Sequence, residues 1–240
     1  MTAARAVPSA ESSARRVSYN PAPVASDATL DTLACTDLAC RRGNRLLFSA
    51  VNLEVRAGQA VWLRGRNGRG KTSLLRLAAG LAVPEAGQVS WGGVDVRRAS
   101  VYAPLRVYIG HANALKDDLT VFESLQFLAR LHGRAHDPAS LNAALERVAM
   151  ASRRDAPVRT LSQGQRRRAA LARLALERQP ALWILDEPYD ALDVDGIDVV
   201  NRLLHDHLAR GGSALLTSHL PPGAGAPDMA EFDLDQFAPR

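Results

Sequence analysis

The sequence predicts an α/β fold built around a parallel sheet. Short apolar runs, such as 60–63 and 181–185, alternate with segments in which apolar residues recur at helical spacing. Strands that alternate with helices pair as parallel neighbours, because a helix carries the chain back between them. A stretch of about forty residues at 119–161 has mostly helical spacing. We therefore expect one α/β core with a helical subdomain inserted into it.

The individual elements follow from the same pattern, taken in chain order. A helix that starts at Lys71 should end near Leu81, since Gly80 and Pro84 both favour a helix stop. Two further helices are predicted at 163–178 and 195–210. The predicted strands are Leu46–Phe48, Val51–Val55, Ala60–Leu63, Gln88–Trp91, Arg106–Ile109, Ala181–Leu185 and Ser213–Thr217.

The start of the chain differs in composition from the rest. It is rich in Ala, Ser and Pro and contains no Leu, Ile or Phe before Leu30. Such a segment buries too little apolar surface to offset its ordering entropy, so we predict a disordered tail at 1–30. An Arg- and Ser-rich transit peptide is the alternative, but Glu11 and Asp27 weigh against it. We place the main domain at 31–220, its helical subdomain at about 112–165, and a C-terminal segment at 221–240.

The charge and composition of the chain argue against several functional classes. The formal net charge is +5, but only Lys71 and Lys116 are lysines, which indicates a GC-rich coding background rather than a nucleic-acid surface. We interpret the densest basic run, 166–168, as a solvated helix face and predict no nucleic-acid partner. The two cysteines lack a metal-ligand spacing. No run of about 18 apolar residues is present to span a bilayer, so attachment to a membrane would require a partner.

A glycine-rich loop lies between a predicted strand and a predicted helix, where it can bind phosphate. Its sequence fits the motif G-x-x-x-x-G-K-S/T. The glycines let backbone N–H groups point inward around a β-phosphate, and the N-terminus of the following helix adds positive potential. Lys71 supplies a point charge for the β- and γ-phosphates, and Thr72 offers its hydroxyl to Mg²⁺. The candidate nucleotide-binding residues of this P-loop are Gly65, Arg66, Asn67, Gly68, Arg69, Gly70, Lys71, Thr72 and Ser73.

Two acidic residues follow directly after an apolar predicted strand. The strand Ala181–Leu185 delivers Asp186 to the carboxyl edge of the sheet, where parallel sheets bind their ligands. Asp186 is expected to hold Mg²⁺ through water. Glu187 is one residue further on and is expected to act as the general base on an attacking water, or to orient it. Together with the P-loop, these residues predict hydrolysis of a nucleoside triphosphate.

A further motif separates this chain from the kinases, GTPases and helicases that share a P-loop. It is the run Leu161-Ser162-Gln163-Gly164-Gln165, after which the predicted helix continues. The run resembles the L-S-G-G-Q signature of the ATP-binding cassette (ABC) family, with Gln163 in place of a glycine. Two more marks of that family follow in the expected order, Asp190-Ala191-Leu192-Asp193 and Thr217-Ser218-His219.

This resemblance extends from about residue 33 to 220 and implies both a fold and a mechanism. The fold is a P-loop NTPase, an ABC cassette with a RecA-like parallel-sheet core, an antiparallel β subdomain and a helical signature subdomain. In this family two cassettes pack head to tail, and each ATP lies between the P-loop of one copy and the signature of the other. The expected partner is therefore a second copy of the chain. The resemblance assigns contacts in trans to Ser162, Gln163, Gly164 and Gln165, and catalytic roles to Lys71, Glu187 and the switch histidine His219.

Two positions depart from most cassettes. An aromatic residue about twenty positions before the P-loop usually stacks on adenine, and Arg42 holds that place here. Its planar guanidinium either stacks on the base or is solvated. His111 stands where most cassettes have a glutamine, which implies a place near the γ-phosphate and Mg²⁺. We therefore include Arg42 among the nucleotide-binding candidates, and His111, with Thr72 and Asp186, among the metal candidates.

The sequence around these positions is similar to one branch of the family. Gly110-His111 with Lys116, and the run from Trp183 to Pro188, look like the ATP-binding subunits of the haem export systems of cytochrome c maturation (Ccm). This resemblance implies an integral membrane permease subunit as partner, an indirect haem chaperone, and a peripheral position at the cytoplasmic face of the bacterial inner membrane. The alternatives are the ATPase of another small-substrate ABC transporter and a soluble ABC ATPase that acts on nucleic acid or ribosomes.

Overall fold

Two β-sheets organise the chain, one antiparallel and one parallel. The structure, a computed structural model, describes residues 31–98, 102, 105–179, 181–219, 223 and 225–239. The tail predicted at 1–30 lies outside these residues. In chain order the strands are β1 (Leu33–Arg42), β2 (Arg45–Val55), β3 (Ala60–Arg64), β4 (Ala86–Trp91), β5 (Val94–Asp95), β6 (Arg106–Ile109), β7 (Leu182–Leu185), β8 (Ser213–Thr217) and β9 (Met229–Asp233).

The antiparallel sheet has the strand order β2-β1-β4-β5. Its β2 is one strand of eleven residues, whereas the sequence analysis predicted two strands at 46–48 and 51–55. Ala50 takes a φ of +54° between them, and the pairing with β1 shifts its register there instead of ending. The prediction was wrong on this point because a single irregular residue within a long strand is typical of a β-bulge.

The parallel sheet has the strand order β6-β7-β8-β3-β9, and every neighbouring pair in it is parallel. This confirms the predicted fold class. The interior strand β7 is buried along its whole length, as expected for a strand covered on both faces. β9 was not predicted, because this edge strand carries Glu231 and Asp233 among its five residues and lacks an apolar run. It comes from the segment 221–240 and pairs with β3, so that segment completes the sheet.

Five α-helices occupy the described ranges, and four of them begin at a side chain that caps the first turn, Ser162 of the helix Gln163–Leu171 among them. Thr120 forms a reciprocal capping box with Glu123, and Asp137 and Asp193 accept a hydrogen bond from the third residue after them. The helix predicted at 163–178 is α-helical only as far as Leu171. The α-helices are α1 (Lys71–Ala78), α2 (Val121–Leu131), α3 (Pro138–Arg147), α4 (Gln163–Leu171) and α5 (Val194–Ala209), and the 3₁₀ turns are Ala151–Arg153, Val158–Thr160, Ala172–Leu176 and Leu234–Phe237.

In the part of the chain that the structure describes, no helix has both the length and the apolar character required to cross a lipid bilayer.

The hydrophobic core lies on both faces of the parallel sheet, and the alternation along β7 divides it. Trp183 and Leu185 contact the core on the side of the helical subdomain and α5. Leu182 and Ile184 contact the core on the other side, together with α1 and the antiparallel sheet. Both cysteines, Cys35 and Cys40, are buried in this second core. Because successive side chains of a strand point to opposite faces, β7 contributes to both cores and connects them.

The basic run at 166–168 is not a solvated helix face, and this prediction was wrong. The Arg167 side chain is buried among backbone carbonyls. Arg166 pairs with Asp117 at 2.8 Å, and Arg168 pairs with Asp193, the N-cap of α5. The three arginines therefore connect α4 to three different parts of the chain. Sequence shows the charges but not the acceptors, which lie 19 to 57 residues away.

A buried histidine stacks on a tryptophan of β7. The His207 ring lies 3.7 Å from the Trp183 ring, centroid to centroid, at an interplanar angle of 7°. Its Nε2–H donates to the backbone oxygen of Ala181 at 2.8 Å. Burial lowers the pKa of His207 to about 4, from an ordinary value of 6.5. His207 is therefore neutral in the folded chain, with a structural role rather than a metal-binding one.

We expect this histidine to make the fold acid-sensitive. The unfolded chain binds a proton at His207 near pH 6.5 and the folded chain only near pH 4, so its contribution to stability is complete above pH 6.5 and is lost as the pH falls toward 4. The loss is about 1.4 kcal/mol per pH unit in that window. Urea unfolding between pH 7 and 4.5 should give a flatter pH dependence for His207→Phe than for the unaltered chain. His205→Phe, an exposed position on the same helix, should leave the dependence unchanged. Equal slopes for His207→Phe and the unaltered chain would contradict this assignment.

Candidate functional site

The candidate site lies at the carboxyl edge of the parallel sheet. There the ends of β3, β6, β7 and β8 lead into the P-loop, Gly110-His111, Asp186-Glu187 and Ser218-His219. A cavity of about 340 Å³ opens at this edge. The residues that line it are Arg42, Leu47, Arg66, Asn67, Gly68, Gly70, Lys71, Thr72, Ser73, His111, Asp186, Glu187 and His219. All but Leu47 are predicted site residues, and the structure brings them together at one place.

The P-loop owes its curled path to glycine. Gly65, Gly68 and Gly70 have φ values of 142°, 75° and 108°, a region that favours glycine. A side chain at Gly70 would also lie 3.2 Å from Leu47 and Phe48 of the antiparallel sheet. The Lys71 ammonium donates to the backbone oxygen of Gly65 at 2.7 Å, and this contact holds its charge beside the first residue of the loop.

The two acidic residues are held by one threonine from the neighbouring strand. The Thr217 hydroxyl donates to Asp186 Oδ1 at 3.0 Å and accepts from the Glu187 N–H at 2.9 Å. Asp186 is 2% exposed, and its Oδ2 is buried with no hydrogen-bond partner among the described residues. One carboxylate oxygen is thus fixed, and the other is available to a ligand in the cavity.

Glu187 has a strained backbone at the point where the strand ends. Its φ is +53°, uncommon for a residue with a side chain and found mostly at functional sites and tight turns. The carboxylate is largely buried, and its Oε2 accepts from the His219 N–H at 2.8 Å. The His219 ring nitrogen Nε2 is 3.6 Å from Oε1. The two predicted catalytic side chains therefore lie in direct contact.

Arg167 joins the signature helix to the acidic pair, which the sequence analysis did not foresee. Its guanidinium donates to the backbone oxygen of Asp186 at 2.6 Å and to the backbone oxygen of Glu187 at 2.8 Å. It also donates to the Gly110 oxygen at 2.9 Å and to Asn113 Oδ1 at 3.0 Å, in the loop that carries His111. Burial lowers the pKa of Arg167, and the nearby carboxylates oppose that shift. The arginine thus satisfies carbonyls that no strand or helix pairs.

The signature residues lie away from this cavity, since none of 162–165 lines it. Ser162 caps α4: its hydroxyl accepts from the Gln165 N–H, and Gln165 Oε1 accepts from the Ser162 N–H. A side chain at Gly164 would lie 2.7 Å from the Ala191 oxygen, so glycine is required there for close approach of the chain. Gln163 is exposed at the first position of α4, and the glycine it replaces is not needed for packing within the chain.

Two predicted P-loop residues, Gly65 and Arg69, do not line the cavity. The Arg69 side chain pairs with Asp235 at 2.7 Å, and its N–H donates to the Arg66 oxygen at 3.2 Å. Asp235 also accepts from the Arg66 N–H at 3.0 Å. No sequence signal pointed to Asp235, because it lies 169 residues after Arg66 and outside any recognised motif.

Comparison with known proteins identifies the family. The family model described as "ABC transporter" matches residues 48–190. The cytochrome c biogenesis ATP-binding export protein CcmA of Methylococcus capsulatus is 50% identical over 189 residues, which is 78% of this chain and 90% of that protein. The protein of the same name from Aromatoleum aromaticum is 46% identical over 208 residues, 86% of this chain and 96% of that protein.

Solved structures agree with the fold. A putative ABC transporter ATP-binding protein from Pyrococcus furiosus has a TM-score of 0.74 at 22% identity and covers 87% of this chain and 100% of that chain. An ATP-binding subunit of an ABC transporter has a TM-score of 0.69 at 25% identity and covers 78% of this chain and 79% of that chain.

We expect the Thr217 hydroxyl to be needed for both stability and activity at this site. Thr217→Val removes the bond to Asp186 and leaves the Glu187 N–H without its acceptor, at a cost of about 2–3 kcal/mol for buried groups. Urea unfolding should report this loss, and phosphate release from ATP should slow at least about tenfold, because the acidic pair is no longer oriented. Thr217→Ser keeps the hydroxyl and should retain most of the activity. Equal activity of the Val and Ser variants would contradict this role.

Proposed function

This chain belongs to the ABC transporter family, and we propose that it is the ATP-binding and ATP-hydrolysing subunit of a haem export complex of cytochrome c biogenesis. The observation that carries the proposal is the convergence of the P-loop with the buried pair Asp186 and Glu187 on one cavity. It occurs in a chain that is 42–50% identical to export proteins of cytochrome c biogenesis. The complex would use hydrolysis to deliver haem or to release the loaded haem chaperone.

The phosphate end of the cavity is suited to Mg²⁺ together with the triphosphate. Thr72 and Asp186 would hold the ion, and the unpartnered Oδ2 of Asp186 fits a cation or its bound water. His111 lines the same cavity and is a further candidate for such a water-mediated contact. Within the described residues no three His, Cys, Asp or Glu side chains form a metal cage. Mg²⁺ does not require one, since it binds through one or two protein groups, phosphate oxygens and water, and when bound it neutralises charge on the phosphate oxygens.

Hydrolysis follows from the position of Glu187. Its carboxylate would accept a proton from a water whose oxygen bonds to the γ-phosphorus, while the bond from that phosphorus to the β–γ bridging oxygen breaks. ADP and inorganic phosphate are the products. Lys71 would bind the β- and γ-phosphates, and the His219 ring would contact the γ-phosphate from the opposite side of the cavity. The His219 N–H already holds one oxygen of Glu187, so the base is oriented before ATP binds.

The other end of the cavity would receive the base. Arg42 and Leu47 line it there, and among the described residues no carboxylate pairs with the Arg42 guanidinium. A guanidinium without an ion pair can stack on a purine face, which supports the proposal that Arg42 takes the place of the usual aromatic residue.

A second copy of the chain would complete each site. Ser162, Gln163, Gly164 and Gln165 do not line the cavity of their own chain, and the N-terminus of α4 is exposed. The capping box leaves the Ser162 hydroxyl hydrogen available to donate to a γ-phosphate bound by the other copy. Helix N-termini favour such anions. Two sites would thus form between two copies.

The remaining partners follow from the proposed export role. An integral membrane permease subunit would bind the cassette at the cytoplasmic face of the bacterial inner membrane, and the contact with the haem chaperone would be indirect. Arg167 supports a route from the nucleotide to that permease, because it joins the backbone of Glu187 to the His111 loop and hence to the helical subdomain.

We expect the gene to be required for attachment of haem to c-type cytochromes. In a bacterium without a second maturation system, a deletion strain should lose c-type cytochromes, detected by haem staining, and keep its b-type haem proteins. Lys71→Ala should fail to restore them because it binds ATP poorly, and Glu187→Gln because it binds ATP without hydrolysing it.

His136→Gln, an exposed position remote from the cavity, is the matched control and should restore them fully. Normal c-type cytochromes in the deletion strain would overturn the haem export role. Normal ATP hydrolysis by purified Glu187→Gln would separately overturn the assignment of the base.

We expect Ser162 to act on the nucleotide of the other copy. Ser162→Arg and Lys71→Ala should each abolish hydrolysis when assayed alone. A mixture of the two chains forms heterodimers with one site that carries both changes and one intact site, so part of the activity should return. Phosphate release measured against the mixing ratio checks this. A mixture as inactive as its components, in which heterodimers are detected, would contradict action in trans.

A further inference from the structure

A carboxylate behind the P-loop contacts that loop at two points. Asp235 Oδ2 accepts from the Arg66 N–H at 3.0 Å, and Oδ1 accepts from the Arg69 side chain at 2.7 Å. The Arg66 guanidinium is also 3.5 Å from Oδ2. Asn67 and Gly68 lie between the two contacted residues, so one carboxylate holds the loop at Arg66 and again at Arg69.

This contact lies outside the nucleotide cavity. Asp235 lines a second cavity of about 390 Å³ and does not line the cavity of the nucleotide site. The two cavities share Arg66, Lys71 and His219. Asp235 is therefore not among the residues that face the nucleotide cavity, and its hydrogen bonds to Arg66 and Arg69 are its connection to that cavity.

The carboxylate is held in place by its own surroundings. It belongs to the 3₁₀ turn Leu234–Phe237, where its N–H donates to Asp233 Oδ1 at 2.9 Å. Leu234 is fully buried, and a side chain at Gly65 would lie 3.4 Å from its Cβ. Phe232 of β9 stacks on Phe237, the last residue of the turn, with 5.2 Å between the ring centroids. The turn is thus packed against the start of the P-loop, and Asp235 is a fixed anchor.

The charge of Asp235 adds to the strength of the contact. The Arg69 side chain is 16% exposed and that of Asp235 23%, so the pair is shielded from most of the solvent. Burial alone would raise the pKa of Asp235, but the hydrogen bonds from Arg69 and from the Arg66 N–H outweigh it, and the pKa is lowered. The group is therefore ionised, and charge-assisted bonds of this kind are the stronger ones.

The glycine content of the P-loop makes it costly to order. Three of its residues are glycines at positive φ, and glycine loses more conformational freedom on ordering than any other residue. A loop that is already fixed in the receptive shape does not lose this entropy again when a phosphate binds.

We propose that Asp235 is a positioning residue that clamps the P-loop in its phosphate-receptive conformation. The inference rests on the proposed nucleotide binding at this cavity. It predicts that loss of the clamp weakens nucleotide binding although Asp235 does not touch the nucleotide.

The test is calorimetric titration of MgADP into the purified full chain and its variants. Asp235→Ala should weaken binding about tenfold, and Asp235→Asn, which keeps an acceptor for the Arg66 N–H, by less. Glu231→Ala is the matched control. It removes a carboxylate from the adjacent strand β9, and among the described residues that carboxylate forms an ion pair with Arg64, which precedes the P-loop, and not with a P-loop residue. This control should change the affinity less than twofold. In steady-state ATP hydrolysis the Asp235→Ala effect should appear in KM more than in kcat.

Two further measurements distinguish a clamp on the P-loop from a role of Asp235 in folding alone. Melting without nucleotide establishes that each variant is folded at the titration temperature. Arg69→Ala combined with Asp235→Ala should weaken binding no more than Asp235→Ala alone, since both remove one contact. Unchanged affinity in folded Asp235→Ala, or additive losses in the double variant, would overturn the clamp. Absence of MgADP binding by the unaltered chain would instead overturn the proposed function of the cavity.

Discussion

The parallel register of the second sheet is the constraint on which the rest of the site depends. Leu63 of β3 pairs with Thr217 of β8, and Leu185 of β7 pairs with Leu216 of β8 and Ile109 of β6. All these strands run in the same direction, so their following residues meet at one edge. A slip of one residue would turn every side chain of a strand to the other face. Such a slip would move Trp183 away from the His207 ring on which it stacks, so this contact helps to hold Asp186 and Glu187 opposite the P-loop.

Polar contacts then connect this edge to the helical part of the chain. Arg167 is five residues after Ser162, and its guanidinium holds the carbonyls of Asp186 and Glu187. The helix that presents the signature outward is thus bonded to the backbone of the acidic pair inside. Any tilt of α4 has to move those carbonyls or break charged hydrogen bonds in a buried site, which is costly. The strained φ of Glu187 is stable in this setting because Arg167 and Thr217 hold its backbone from both sides.

Sequence patterns predicted the groups that face the nucleotide but not the groups that hold them. The P-loop, the strand before Asp186 and the signature are short runs whose chemistry depends on neighbours in the chain, so spacing is enough to find them. Arg167, Thr217 and Asp235 act across 19 to 169 residues, and nothing local distinguishes a buried arginine or aspartate from a solvated one. The same limitation explains why the run 166–168 was assigned to solvent and why β9 was missed.

The separation of 169 residues between Arg66 and Asp235 has a consequence for how the protein is made. A ribosome adds about 5–20 residues per second, so roughly 8 to 34 seconds pass between synthesis of the loop and synthesis of the carboxylate that contacts it. Both sheet neighbours of β3, the strands β8 and β9, also emerge in the later part of that interval. The nascent chain therefore carries a glycine-rich loop without its sheet for most of translation. The sheet that positions the loop can be complete only after β8 and β9 have been synthesised, so the anchor and both neighbours of β3 reach the loop together at the end of synthesis.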